Sequence, residues 1–64
     1  MEIIEQKLTE VVVRISKEEA VILNNALNEV CNGIDLPDFE TRMGCKEAEA
    51  QKLLSAFQSV LSSD

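Results

Sequence analysis

Three carboxylates and one arginine lie close together in a segment that also holds both glycines and the only proline of the 64-residue chain. Carboxylate oxygens are the ligands that Ca²⁺ and Mg²⁺ prefer, so Asp35, Asp38 and Glu40 offer donors for a hard cation. Their spacing does not match the calcium-binding loop of the EF-hand, and no glycine stands at the turning position of that loop. We therefore expect no metal and no other cofactor in this segment.

Side chains that usually carry out catalysis are scarce. The chain has no histidine for general acid–base chemistry near neutral pH and no glycine-rich phosphate loop. Cys45 follows Gly44 at a predicted helix start, where backbone amides and nearby basic side chains favour the reactive thiolate. Without a base or a resolving cysteine beside it, Cys45 is expected to be an ordinary thiol, and Cys31 a small core residue. The sequence therefore predicts that the protein is not an enzyme.

The same segment has the residue types of a protein-binding surface. Aromatic residues and arginine dominate the energetic hot spots of protein interfaces, so Phe39 and Arg42 would form an anchor pair if they are exposed together. In the alternative interpretation, Arg42 pairs with Glu40, with Asp38 or with the carboxylate of a neighbouring helix and holds the segment in shape. The candidate protein-binding residues are Leu36, Phe39, Glu40, Arg42 and Met43.

The charge balance limits the classes of partner. Twelve acidic residues against six basic ones give a net charge of −6 and a pI near 4.4. This balance repels phosphate backbones and anionic lipids, which disfavours nucleic acid and membrane surfaces as partners. It is typical either of a solvated acidic surface or of a protein that binds a basic partner, such as an inhibitor or immunity-type protein that masks a basic toxin or nuclease.

Targeting signals are not recognisable in the sequence. No charged-then-apolar leader precedes the first strand-like residues, and no apolar run approaches the ~20 residues that span a bilayer. We therefore expect a cytoplasmic protein with no membrane partner.

A strand is predicted over residues 7–15, because β-branched residues recur there with a period of two. The triplet Val11-Val12-Val13 is apolar on both faces, which indicates burial on both sides. No Asn-Gly, Asp-Gly or Pro separates Ile3 and Ile4 from this strand, so a hairpin is not predicted. The strand must then pair with its copy in a second subunit, with a short strand at Phe39–Met43, where the residues also alternate, or with both.

Two helices are predicted on either side of the 33–44 segment. Ser16 and Glu19 have the spacing of a capping box, so the first helix covers about 17–32 and is expected to end with Gly33 in a left-handed conformation. Its four asparagines form either a solvated face or a hydrogen-bonding recognition surface. A clean apolar stripe predicts the second helix over about 46–61, after which Ser62 to Asp64 are expected to fray. The segment 33–44 is expected to be irregular or to contain the short strand.

Chain length makes a second subunit the expected support for this fold. A chain of this size rarely builds a sufficient core alone and typically needs disulfides, a metal or oligomerisation. Histidine is absent and only two cysteines are present. We therefore predict a single α+β domain that forms a homodimer through its main strand.

Two resemblances add to these expectations. The order strand, helix, helix in a presumed dimer resembles the ribbon-helix-helix DNA-binding family, whose paired strands enter the major groove; the resemblance implies a DNA-binding regulator that uses Lys7, Thr9 and Arg14. Residues 26–34 (ALNEVCNGI) followed by 39–44 (FETRMG) resemble a family of small uncharacterised bacterial proteins. This second resemblance implies a bacterial, non-catalytic protein.

Overall fold

A two-stranded antiparallel sheet precedes a group of helices, so the predicted α+β class is confirmed. The structure, a computed structural model, describes residues 1–62. The elements are β1 (Glu2–Gln6), β2 (Val11–Arg14), α1 (Lys17–Asn28), a π-helical turn (Glu29–Gly33), α2 (Phe39–Met43) and α3 (Glu47–Ser62). The fraying predicted for residues 63 and 64 lies outside the described residues.

The N-terminal strands form a hairpin. The strand predicted over 7–15 is present as β2, but residues 7–10 form the turn, and the absence of a hairpin was predicted wrongly. The Lys7 amide donates to the Glu10 carbonyl at 2.8 Å and closes a four-residue turn. The Lys7 ammonium contacts the carboxylates of Glu5 and Glu10 at 3.1 and 3.2 Å. Backbone hydrogen bonding between the strands and the ion pairs of Lys7 thus stabilise a turn that lacks the usual turn residues. The strand that pairs with β2 within the chain is β1.

The two faces of the hairpin differ in chemistry. Ile3 opposes Val13 and Gln6 opposes Val11, whereas Val12 opposes Glu5 on the other face. Directly opposed residues share a face, so Ile3, Val11 and Val13 form what we call the apolar hairpin face. The burial predicted on both sides of the valine triplet is not observed, because these valines are 39–55 % exposed.

The first helix begins with the predicted capping box. The Ser16 hydroxyl accepts from the Glu19 amide, and the Glu19 carboxylate accepts from the Ser16 amide, both at 3.0 Å. At its other end α1 passes into the π-helical turn, which the Ile34 amide closes by donating to the Glu29 carbonyl at 3.0 Å. Gly33 lies in this turn without a positive φ, so the left-handed helix end predicted there is wrong.

The segment between the long helices contains a single helical turn, and the short strand predicted at Phe39–Met43 is wrong. The Arg42 amide donates to the Asp38 carbonyl at 3.0 Å, and the Gly44 amide donates to the Glu40 carbonyl at 2.9 Å. Asp38 and Gly44 bracket the turn with positive φ values of 53° and 75°. Five residues are too few to separate a period of two from a helical period, so the alternation misled the sequence interpretation.

The core lies where α1, the π-helical turn and α3 meet. Its buried residues are Ala20, Cys31, Ala50 and Leu54. Around it, half-buried side chains pack against Cys31, Ala50 and Leu54; they are Leu27, Val30, Phe39 and Cys45. The hairpin contributes no buried residue, so the two strands lie beside this core rather than over it.

Candidate functional site

The five predicted binding residues have two different surroundings. Glu40 and Arg42 of α2 are exposed, whereas Leu36 and Met43 are half-buried. Phe39 is also half-buried, because its ring packs against the core cluster. Phe39 therefore holds α2 against the helices, and the exposed surface of the segment is mainly charged.

Arg42 lies in the last turn of α2 with its guanidinium in solvent. Within residues 1–62 it makes no ion pair, so the interpretation that Arg42 holds the segment in shape by pairing with Glu40 or Asp38 has no support in the structure. An exposed, planar guanidinium retains its capacity for bidentate contact with a partner.

The carboxylates of this segment are also exposed. Asp35, Asp38 and Glu40 make no side-chain hydrogen bond or ion pair to another described residue. Ile34, 48 % exposed, lies at the start of the segment. No group of three His, Cys, Asp or Glu side chains within residues 1–62 is placed to hold a metal ion. The arrangement presents negative charge beside an apolar side chain.

The thiols are placed for packing. Cys31 is buried in the core and Cys45 is half-buried against it, and both are free. Burial raises the pKa of the Cys31 thiol, and the neighbouring Glu47 and Cys45 raise it further. A raised pKa keeps Cys31 in the unreactive thiol form at neutral pH.

The asparagine face of α1 is partly used inside the protein. The Asn32 amide donates to Asn28 at 3.1 Å, and the Gln51 amide donates to Asn32 at 3.1 Å. This chain of amides links the π-helical turn to α3. The Asn24 side-chain oxygen is buried without a hydrogen-bond partner among the described residues. A purely solvated asparagine face is therefore not what the structure has.

The hairpin surface is the feature that the sequence interpretation missed. Leu8 at its tip is fully exposed, as are large parts of Ile3, Ile4 and the valines of β2. The basic side chains of the hairpin have partners, because Arg14 contacts Glu2 at 2.7 Å and Lys7 contacts two carboxylates. The pair Ile3-Ile4 before a β-branched run was the available signal for a second strand.

No protein-family model, curated protein or solved structure matches this chain. Among the described residues, no helix is both long and apolar enough to cross a membrane. Function must then be argued from the surfaces themselves.

Proposed function

We propose that this protein is a non-enzymatic, acidic module that binds a basic protein through residues 34–43 and works as a homodimer in the cytoplasm. The observation that supports the binding surface is the group of exposed carboxylates, Asp35, Asp38 and Glu40, without an ionic partner inside the described chain. Unpaired surface carboxylates in a chain of net charge −6 attract lysine and arginine side chains and speed association with them.

The half-buried residues of the segment add apolar contacts to this charged surface. Phe39 anchors α2 on the core, and Leu36 and Met43 keep part of their apolar surface in solvent. Apolar contact at the centre of a charged rim is the usual anatomy of a specific interface. Arg42 is available for a carboxylate or a backbone carbonyl of the partner. An inhibitor or immunity-type protein that masks a basic toxin or nuclease is a concrete form of this activity.

Homodimer formation is part of the proposal because the monomer leaves much apolar surface in solvent. The accessible surface is 5165 Å², whereas a folded monomer of 7.1 kDa exposes about 4,100 Å². The radius of gyration is 13.0 Å, against about 11 Å for a compact 64-residue chain. A second subunit would remove surface that the single chain cannot bury.

A DNA-binding regulator is the alternative, and it has less support. The basic side chains of the hairpin, Lys7 and Arg14, already contact carboxylates. The carboxylates beside both side chains offset their positive charge and repel a phosphate backbone. A mixed DNA ladder that shifts at low salt, with a steep loss of the shift as salt rises, would favour this alternative.

Charge neutralisation tests the binding surface. The variant Asp35→Asn/Glu40→Gln removes two charges from the 34–43 segment, and the control Glu18→Gln/Glu47→Gln removes two exposed charges at the starts of α1 and α3. Immobilised wild-type protein should capture basic proteins from host lysate, and the segment variant should lose about tenfold in affinity for them while the control does not. Equal loss in both variants would indicate unspecific attraction, and no loss in either would contradict the proposed surface.

A further inference from the structure

The hairpin buries too little of its surface within the single chain to be stable by itself. An isolated two-stranded hairpin is at best marginally stable in water, and every residue of β1 and β2 is exposed. The chain exposes about 1,000 Å² more than a folded monomer of its mass should. A standard protein interface removes about 800 Å² from each partner. The uncovered surface thus has the size that one further subunit would bury.

The two free edges of the sheet are not equivalent. β1 has a register irregularity between Ile3 and Glu5, and a bulge of this kind disrupts further pairing along a strand. If β1 paired with its own copy, the carboxylates of Glu2 and Glu5 would be brought near those of the partner. β2 is regular and consists of three valines followed by Arg14, with Glu10 immediately before it. The edge of β2 is therefore the edge suited to a second strand.

We propose that a second copy of this chain occupies the free edge of β2, so that two hairpins form one four-stranded antiparallel sheet about a twofold axis at Val12. The inference rests on the homodimer in the proposed function and specifies its interface. Opposed residues of an antiparallel pair have side chains on the same face of the sheet. Because side chains alternate between faces along a strand, the twofold axis must lie where one residue of β2 faces its own copy in the partner. An axis at Val12 places Val11 opposite the partner's Val13.

This register also pairs opposite charges. With the axis at Val12, Arg14 lies opposite the partner's Glu10, and the symmetry produces this pair twice. Arg14 contacts Glu2 through Nη1 and Glu10 contacts Lys7 through Oε1, so each side chain retains further donors or a second oxygen for the intersubunit pair. An axis at Val13 would instead place Arg14 opposite the partner's Val12. An axis at Val11 would place Glu10 opposite the partner's Val12. Opposite-charge pairs across strands stabilise a sheet, whereas a charge opposite a valine gains nothing. β2 with its preceding glutamate is thus complementary to itself, which favours a second copy over a uniformly basic partner.

The joined sheet would have one extended apolar surface. Ile3, Val11 and Val13 share a face of each hairpin, and the twofold axis places the two apolar hairpin faces side by side. On the opposite face, the two copies of Val12 meet at the axis between the Arg14 and Glu10 pairs. Each subunit thereby pairs with the free edge of β2 in the other, an edge that no element of residues 1–62 occupies.

A glutamate at the axis tests the arrangement. Val12→Glu would place two carboxylates opposite each other, so the dimer dissociation constant should rise about a hundredfold or more. The matched control is Val60→Glu, which adds the same charge on α3 at a valine that is 64 % exposed. Analytical ultracentrifugation should give a dimer for the wild type and the control, and a monomer for Val12→Glu. A Val12→Glu protein that remains dimeric would overturn the proposal.

A measurement on the wild type tests the same interface even if the Val12→Glu protein does not fold. In dimers mixed from isotopically labelled and unlabelled chains, filtered NOE spectra should show contacts between Val11 and Val13 of different subunits. A wild type that is monomeric at micromolar concentration would overturn the homodimer itself. A dimer whose intersubunit contacts lie elsewhere would overturn only the β2 interface. Neither result changes the outcome of charge neutralisation at residues 35 and 40, so failure of the binding proposal remains distinguishable.

Discussion

Single residues in this protein often serve two contacts at once. The Glu19 carboxylate accepts from the Ser16 amide through one oxygen and contacts the Met1 ammonium at 2.6 Å through the other. The contact with the ammonium is the main cause that lowers the pKa of Glu19 below its usual 4.5, and the Ser16 amide adds to it. The capping box was readable from the spacing of Ser16 and Glu19, whereas the contact with Met1 depends on where the hairpin places the chain start.

The lowered pKa of Glu19 predicts a pH dependence of stability. A carboxylate whose pKa is lower in the folded state contributes stability above its unfolded pKa, and this contribution is lost as pH falls through the folded pKa. Glu19→Gln should therefore lower the thermal midpoint at pH 7, and the difference from the wild type should shrink when the pH falls below 4.5. Circular dichroism melts across this range test the expectation, with the exposed Glu18→Gln as control. A difference that stays constant with pH would contradict it.

At the scale of elements, the sequence predicted what local signals specify. The capping box at Ser16 and the long apolar stripe of α3 placed both long helices. The hairpin was not predicted because its turn, closed by Lys7 and Glu10, has no glycine, asparagine or proline and depends on strand pairing. The single turn of α2 was predicted as a strand because five alternating residues fit both the period of a strand and the period of a helix. Its location depends on packing of Phe39, which a single sequence does not reveal.

The two glycines allow a matched test of backbone conformation. Gly44 ends α2 with φ 75° and has open space where a Cβ would lie. Gly44→Ala should lower the free energy of unfolding by about 1 kcal/mol, because the left-handed conformation is unfavourable for alanine. At Gly33 an added Cβ would meet the end of the Glu29 side chain at 2.5 Å, and that flexible chain can move away. Urea unfolding should therefore show a smaller loss for Gly33→Ala, and the reverse order would contradict this account.

At the scale of the whole molecule, the core is small for the number of ordered residues. Of residues 1–62, four are buried in extents of 34 × 31 × 16 Å, and the hairpin lies outside that core. Size and composition led to the prediction that a second subunit supports the chain, and this stays a prediction. The surface that we propose for that subunit was chosen from the hairpin and its strand register, and both were visible only in the structure.

A protein supported by its own second copy should be more stable at higher concentration. Binding that occurs only in the folded state adds stability that grows with the logarithm of partner concentration. The thermal midpoint of the wild type should therefore rise as protein concentration is raised, since unfolding releases two chains from each dimer. Val12→Glu should have a lower midpoint that does not depend on concentration, whereas Val60→Glu should follow the wild type. Differential scanning calorimetry over a wide concentration range measures this directly. A wild-type midpoint that is constant with concentration would mean that the uncovered valines of β2 are tolerated by the monomer, and the need for a second subunit would then be refuted.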